Sequence, residues 1–378
     1  MKTRFFLFLV LVVGFSYFAN AQIQLKPIFN QLNLEARADF DHFSYSNGDE
    51  PEYGFNGRYF NLVLAGDLGG GYSYYFRQRI VADPGATTLF DNTDFLYLNY
   101  NHQMEHSSLN VRLGKDAIFA GGFEYDAAPI EVLFNSYSWG AYYCFQLGAS
   151  LVWSFDDDRQ NLALQISNSP YVYSDFTQAN FKNEYLSGLF AYSLFWKGQF
   201  GHFLTLYSAN LFERDRGYFM GNIGLGHKLK YDRWDIYVDF VFHALGYDDW
   251  GTNNAVVSCA NYKILPWLNV FAKGGYESNH SKYEYSYDEY VASEGKLLMD
   301  CLELPETDQL FYGAGVEIIP TFCTDVNLHA YVCNRVIKHP EYLNANNTIT
   351  ESSLNVNVGI TWHMDIHKQL LKRYENLR

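Results

Sequence analysis

The sequence predicts an all-β protein, a transmembrane antiparallel β-barrel of about 16 strands. Three observations predict this fold: a targeting segment at the N-terminus, the lack of any later apolar stretch long enough for a membrane helix, and repeated alternation of apolar and polar residues. A chain that crosses a membrane without such helices must cross it as closed strands.

The first residues have the order of a secretory signal. Lys2 and Arg4 form a charged start, Phe5 to Phe18 are largely apolar, and Ala19-Asn20-Ala21 is a small-residue cleavage site. We therefore expect a signal peptide over residues 1–21. An uncleaved anchor is the alternative, although the apolar stretch is shorter than a spanning helix requires.

Composition excludes one class of partner and favours a membrane barrel. The chain has 42 Asp and Glu against 27 Lys and Arg, a formal net charge of −15, whereas nucleic-acid binding requires a basic face. Its 32 Tyr, 31 Phe, 7 Trp and 29 Gly are typical of strands and of the aromatic belts at membrane interfaces.

Period-2 alternation predicts where the strands lie within a barrel spanning residues 22–365, followed by a short C-terminal tail over residues 366–378. Near the end, Leu354, Val356 and Val358 alternate with Asn355 and Asn357. The predicted strands are 31–43, 57–68, 72–81, 93–101, 108–115, 141–154, 161–168, 185–196, 202–210, 218–229, 233–243, 255–262, 267–277, 308–319, 325–334 and 353–365. The tail is either a frayed end or a marginal amphipathic helix.

The lengths of the connections also indicate an outer-membrane barrel. Long connections, such as residues 116–140 and 278–307, alternate with short ones, such as residues 69–71 and 230–232. Outer-membrane barrels have long loops outside and short turns in the periplasm. An even number of strands places both ends of the barrel in the periplasm.

The polar parity of the strands identifies the side chains that face the barrel interior. Charges on a pore wall can select ions, or can simply be satisfied by water and by each other. The pore-lining candidates are Arg37, Arg77, Arg79, Arg112, Lys228, Lys273, Glu35, Asp39 and Asp239. Their signs are mixed.

One long connection carries a second group of candidates. It contains Gly121, Gly122, Glu124 and Asp126, and two adjacent glycines permit a sharp fold. Long loops are often functional, so this one either folds inward and narrows the pore or forms an ordinary surface loop.

Residues 111–131, VRLGKDAIFAGGFEYDAAPIE, resemble the segment that enters the constriction loop in the phosphate-selective porin O and P type family of outer-membrane porins. The resemblance implies a trimeric, water-filled, anion-preferring channel that is narrowed by its third loop and lined by arginines and lysines. By position, Gly121, Gly122, Glu124 and Asp126 match the constriction loop. The chain departs from the family in lacking an uninterrupted basic ladder and in ending at Arg378 rather than at an aromatic residue.

Motifs for other chemistry are weak. There is no Gly-x-Ser-x-Gly nucleophile elbow, His102 and His106 fall in a predicted turn, and the 5 cysteines match no zinc spacing. We therefore expect no metal, no cofactor and no enzyme activity.

The predicted function is passive diffusion of small polar or anionic solutes through a channel in a Gram-negative outer membrane. The predicted partners are those solutes, outer-membrane lipid and, in a possible homotrimer, copies of the chain. The alternatives are a receptor or structural barrel with a plugged lumen and, less favoured, a lipid-modifying barrel enzyme.

Overall fold

A computed structural model describes residues 29–46, 48–80, 90, 92–140, 144–170, 188–215, 218–244, 253–279, 307–338 and 350–368. The predicted signal peptide and most of the C-terminal tail lie outside these ranges, so both stay predictions. Cys301 also lies outside them. Within them, no helix is long and apolar enough to span a membrane.

The strands form one closed antiparallel sheet. Each strand pairs with the next in sequence, and the last pairs with the first, which closes a barrel of 16 strands and confirms the predicted fold class. The strands are β1 (Gln31–Tyr45), β2 (Glu52–Gly69), β3 (Tyr72–Arg79), β4 (Thr93–Gln103), β5 (Ser107–Ala117), β6 (Phe145–Phe155), β7 (Gln160–Asn168), β8 (Phe190–Phe200), β9 (Phe203–Asp215), β10 (Tyr218–Tyr231), β11 (Trp234–Ala244), β12 (Asn253–Leu265), β13 (Leu268–Asn279), β14 (Thr307–Ile318), β15 (Val326–Lys338) and β16 (Thr350–Asp365). Two short helices, α1 (Phe123–Asp126) and α2 (Tyr137–Gly140), lie between β5 and β6.

Every predicted strand overlaps an observed one, and the errors are at the ends. Strand β2 begins at Glu52 rather than at residue 57, and β8 begins at Phe190 rather than at residue 185. Gly188, which lies inside the predicted strand 185–196, precedes β8 instead and has a positive φ of 72°, so the predicted start of that strand is wrong. Strand β6 begins at Phe145 rather than at residue 141.

The two ends of the barrel differ as predicted. One end has short turns such as residues 156–159 and 232–233, and the other has long connections such as residues 118–144 and 280–306, with residues 216–217 as a short exception. In the first of these turns Asp156, with a φ of 57°, and the two aspartates after it are left-handed, a conformation that Asp tolerates better than most residues do. By the rule for outer-membrane barrels, the end with short turns is the periplasmic end.

Exposed apolar side chains cover the outer face of the barrel wall, and most polar side chains of the strands lie on the inner face. On β16, Val358 is 57% exposed on the outer face, whereas its neighbour Asn357 is completely buried on the inner face. Aromatic rings cluster on the outside near the short turns, for example Tyr72 with Tyr100, whose ring centroids are 4.8 Å apart. These are the lipid-facing band and the periplasmic aromatic girdle of a membrane barrel.

Cysteines form no pairs among the described residues. Cys144, Cys259, Cys323 and Cys333 are free thiols. Cys144 lies just before β6, outside the spanning strands, and burial raises the pKa of its thiol to about 12, so the thiol is neutral.

Candidate functional site

The connection between β5 and β6 folds into the barrel. We call residues 118–140 of it the inner loop. Its side chains Phe123, Glu124, Phe134 and Ser136 are buried, and α1 contacts strands β10 and β11. Of the two alternatives that the sequence left open, the structure has the folded-in loop.

Glycines allow the start of the inner loop to pack closely against the barrel wall. The Ser208 hydroxyl donates a hydrogen bond to the Gly121 carbonyl oxygen at 2.9 Å. A Cβ atom on Gly224 of β10 would lie 2.2 Å from that same oxygen, and one on Gly122 would lie 2.3 Å from the Asp239 carboxyl group. The loop backbone therefore approaches the wall this closely only because both surfaces lack side chains.

Charged side chains of β11 and β13 hold the middle of the loop. The Asp239 carboxylate accepts hydrogen bonds from the backbone N–H groups of Phe123, at 2.9 Å, and Glu124, at 2.7 Å. Glu124 in turn forms an ion pair with Lys273 at 2.7 Å and accepts a hydrogen bond from the Ser136 backbone N–H at 2.9 Å. These buried groups thus satisfy one another, which a buried charge requires.

Strand β1 holds the far part of the loop. The Arg37 guanidinium donates to the carbonyl oxygen of Val132 at 2.7 Å and, at 3.3 Å each, to those of Ile130 and Leu133. Asp39 forms an ion pair with Arg37 at 2.8 Å and lies 3.0 Å from His329 Nε2. Arg37 and Asp39 are both buried.

An apolar cluster fills the space between the inner loop and strands β12–β15. Phe134 of the loop is its centre, with its ring 5.2 Å from the Tyr331 ring and 6.1 Å from the Phe271 ring. Its buried members are Phe134, Val257, Phe271, Phe311, Tyr331 and Cys333. Apolar packing therefore fills this side of the interior.

The inner loop crosses the interior between its attachments. Lys197 on β8 forms an ion pair with Asp126 at 2.5 Å, and Arg37 on β1 holds residues 130–133. Because β1 and β8 lie on nearly opposite sides of a 16-stranded barrel, residues 126–130 span the space between the two walls. Strands β2–β6 lie on the other side of this crossing from the apolar cluster.

Three ion pairs on the β2–β6 wall share one orientation. The basic partner is about a third exposed while the carboxylate behind it is buried: side-chain exposures are 28% for Arg79 and 2% for Asp94, and 31% for Arg112 and 9% for Asp116. Arg58 is 35% exposed and pairs with Asp41, which is 7% exposed, at 2.6 Å. On this side the guanidinium groups are therefore more exposed than the carboxylates with which they pair.

Sequence reasoning missed Arg58. Its position has the lipid-facing parity of β2, but a register shift between Arg37 and Ala38 of β1 breaks the alternation and allows it to point inward. An arginine that faces lipid in mid-membrane destabilises a barrel. Arg58 at a lipid-facing position was therefore the sequence signal that predicts a bulge.

The remaining candidates have other surroundings. Arg77 is buried, pairs with Asp94 at 3.0 Å and lies over the Phe95 ring. Lys228 pairs with Asp235 at 2.9 Å, and Glu35 lies 4.0 Å from His363 Nδ1. All are on the inner face, but the structure divides the predicted set. Lys273, Asp239, Arg37 and Asp39 join the inner-loop contacts, whereas the side chains of Arg79 and Arg112 remain partly exposed.

No metal site emerges from the part of the chain that the structure describes, where no group of three or more His, Cys, Asp or Glu residues is placed to hold an ion. His102 lies in β4, and His106 in the following turn has a side chain that is 88% exposed.

Solved structures similar to this chain are outer-membrane barrels. The anion-selective porin from Comamonas acidovorans has a TM-score of 0.57 at 12% identity, over 88% of this chain and 98% of that one. The outer-membrane expressed OmpT of Vibrio cholerae has 0.57 at 9%, over 91% and 100%. The outer membrane channel DcaP of Acinetobacter baumannii has 0.55 at 11%, over 90% and 99%. At these identities the similarity shows the fold.

The family comparison bears on function. No curated protein matches the chain. The model of the family described as phosphate-selective porin O and P matches residues 31–201, which confirms the resemblance predicted from the sequence. Fold and family indicate a channel rather than an enzyme. The fold and this match over residues 31–201 support a porin-like channel of the Gram-negative outer membrane.

Proposed function

We propose that the protein is an open, water-filled pore for passive diffusion of small polar and anionic solutes, and that the path runs between the inner loop and strands β2–β6. The orientation of the ion pairs on that wall carries the proposal. Arg79 and Arg112 are partly exposed while their carboxylate partners are buried. Near such a wall an anion experiences a favourable potential although each pair is formally neutral, because the positive group is nearer.

This arrangement replaces the basic ladder that the sequence lacks. A ladder would select anions by net charge, whereas these pairs select by which partner faces the water. The chemistry required of the solute is therefore small size, good hydration and a negative or polar group that a guanidinium can bind. Such transport needs no cofactor and no covalent step, and we propose no enzyme activity.

A plugged receptor barrel is the second candidate. The dry cluster around Phe134 and the buried Glu124–Lys273 pair favour it, because they show that the inner loop is firmly packed into the interior. The two candidates differ in one measurable property, the conduction of ions.

We further propose that the protein assembles as a homotrimer in outer-membrane lipid. One similar structure, OmpT of Vibrio cholerae at a TM-score of 0.54 and 9% identity, is described as a trimer form and supports this proposal. The mass of the purified protein in detergent, corrected for bound detergent, tests this proposal, and a monomer mass contradicts it.

Planar-bilayer recording of the refolded barrel under a salt gradient tests the channel. The decisive variant is Arg112→Gln with Asp116→Asn, which removes an exposed positive charge and a buried negative one together and so leaves the net charge unchanged. We expect the anion preference, read from the reversal potential, to fall. The matched control is Arg159→Gln with Asp156→Asn, an ion pair of 2.6 Å in a periplasmic turn whose partners are 52% and 49% exposed.

The outcomes separate the candidates. Discrete conductance steps with a preference for anions support the proposal. An unchanged reversal potential in the Arg112 and Asp116 variant contradicts the role of pair orientation. A folded barrel that conducts no ions overturns the open pore and favours the plugged receptor.

A further inference from the structure

A groove of about 670 Å³ lies on the lipid-facing side of strands β5–β10, away from the interior. Its floor is the backbone of one row of paired residues whose side chains point inward: Ser150, Gln165, Ser193, Asn210 and Asn222. The backbone N–H and C=O groups of that floor form the hydrogen bonds of the sheet. A ligand in the groove therefore does not need to supply hydrogen-bond partners.

Two rows of outward side chains form the walls. The row nearer the periplasm is Val111, Leu151, Leu164, Leu194, Ala209 and Ile223, and the row above it is Ala149, Ile166, Tyr192 and Leu211. Leu164 is 54% exposed and Leu194 is 48% exposed. Apart from the Tyr192 hydroxyl, the walls are hydrocarbon.

The groove has the length and direction of a lipid tail. Its floor crosses four inter-strand gaps of about 4.8 Å, a length of roughly 19 Å. Because membrane strands tilt by about 35–45° and the rows run across the strands, the groove rises obliquely through the bilayer. It starts near Leu151, beside Trp153 of the periplasmic girdle, and ends at Ile223 in the upper half of β10.

We propose that this groove binds one acyl chain of a phospholipid from the periplasmic leaflet. Its entrance lies at the periplasmic girdle, where headgroups of that leaflet sit. A linear hydrocarbon tail can lie along this apolar groove without leaving a polar group unsatisfied. This proposal rests on the outer-membrane location of the barrel and specifies the lipid contact proposed above. It does not depend on whether the pore conducts ions.

Photolabelling in liposomes tests the site. The barrel is refolded into phosphatidylcholine vesicles that contain a phosphatidylcholine with a diazirine on one acyl chain, and labelled residues are mapped by mass spectrometry. We expect labelling at Leu164 and Leu194 to exceed several-fold the labelling of the lipid-facing residues Val356 and Val358 on β16.

Paired variants separate a groove from general exposure to lipid. Leu164→Ala with Leu194→Ala removes much of one wall, and we expect labelling between β5 and β10 to fall to the level of β16. Val356→Ala with Val358→Ala removes a similar amount of exposed apolar surface elsewhere and should leave groove labelling unchanged.

Two results overturn the proposal. One is labelling that is even around the barrel at equal depth, which means ordinary lipid contact. The other is absence of lipid label in the groove together with chain-to-chain crosslinks there, which means that a second copy occupies it. Loss of conductance without loss of groove labelling contradicts the channel and leaves the lipid site standing.

Discussion

The Glu124–Lys273 pair offers the sharpest test of how the inner loop is held. Its two side chains are 6% and 7% exposed, and Lys273 Nζ also donates to the Phe134 carbonyl oxygen at 2.6 Å. Lys273→Met keeps the aliphatic stem but leaves the Glu124 carboxylate buried without its counter-charge. Removal of one partner from a buried pair costs about 3–5 kcal/mol. The hydrogen bonds between strands do not depend on this ion pair. The free-energy cost therefore destabilises the attachment of the inner loop rather than the barrel.

A cost of this size is visible in two assays. Since about 1.4 kcal/mol is a factor of ten, the equilibrium between the seated and the detached loop shifts by roughly a hundredfold to several thousandfold. We expect hydrogen exchange to accelerate by that order in residues 118–140 while strand amides keep their protection. We also expect the single-channel current to flicker.

Two further variants make the result interpretable. Glu124→Gln combined with Lys273→Met removes both charges, and we expect most of the loop protection to return. Lys197→Met removes the partner of Asp126, but those side chains are 36% and 38% exposed, so we expect a change below about 1 kcal/mol. Unchanged exchange and a quiet current in Lys273→Met would refute the view that this pair anchors the loop.

Other predictions concern the glycine contacts of the inner loop and the two faces of the wall. Gly224→Val places side-chain atoms where the Gly121 carbonyl oxygen lies 2.2 Å from a Cβ, so we expect a displaced loop and a noisy current, whereas Gly54→Ala, with nothing within 4 Å, should behave as wild type. Val358→Arg puts a charge into the lipid-facing band and should cost about 2–4 kcal/mol in urea refolding. Asn355→Arg, on the inner face 3.4 Å from Asp41, should cost much less, and equal costs would contradict the face assignment.

The barrel itself follows from short-range information. A period of 2 places Val356 and Val358 on one face and Asn357 on the other, and the lengths of the turns then determine which strands pair. Strand ends were predicted less well, because pairing continues past the membrane band into segments without clear alternation. Strand β2 shows this, since its first residues Glu52 to Asn56 pair with β1 above that band.

The contacts of the inner loop depend on long-range packing. Arg37 lies 95 residues from Val132 in sequence, and Lys273 lies 139 residues from Phe134. Parity places Arg37 and Arg112 on the same inner face, but it carries no information about which of them meets the loop and which meets water. The sequence therefore predicted a single pore-lining set where the structure has two.

The orientation of the wall pairs also sets how strongly the pore can discriminate. A guanidinium with a carboxylate directly behind it has the field of a dipole, which decreases faster with distance than the field of a net charge. Selectivity from Arg79 and Arg112 therefore acts only within a few ångströms of the wall and should be modest. Screening shortens that reach further, because the Debye length falls from about 10 Å at 0.1 M salt to about 3 Å at 1 M. We expect the anion preference measured by reversal potential to decrease markedly between these two concentrations. A preference that survives at 1 M salt would instead indicate direct binding of the solute to the arginines.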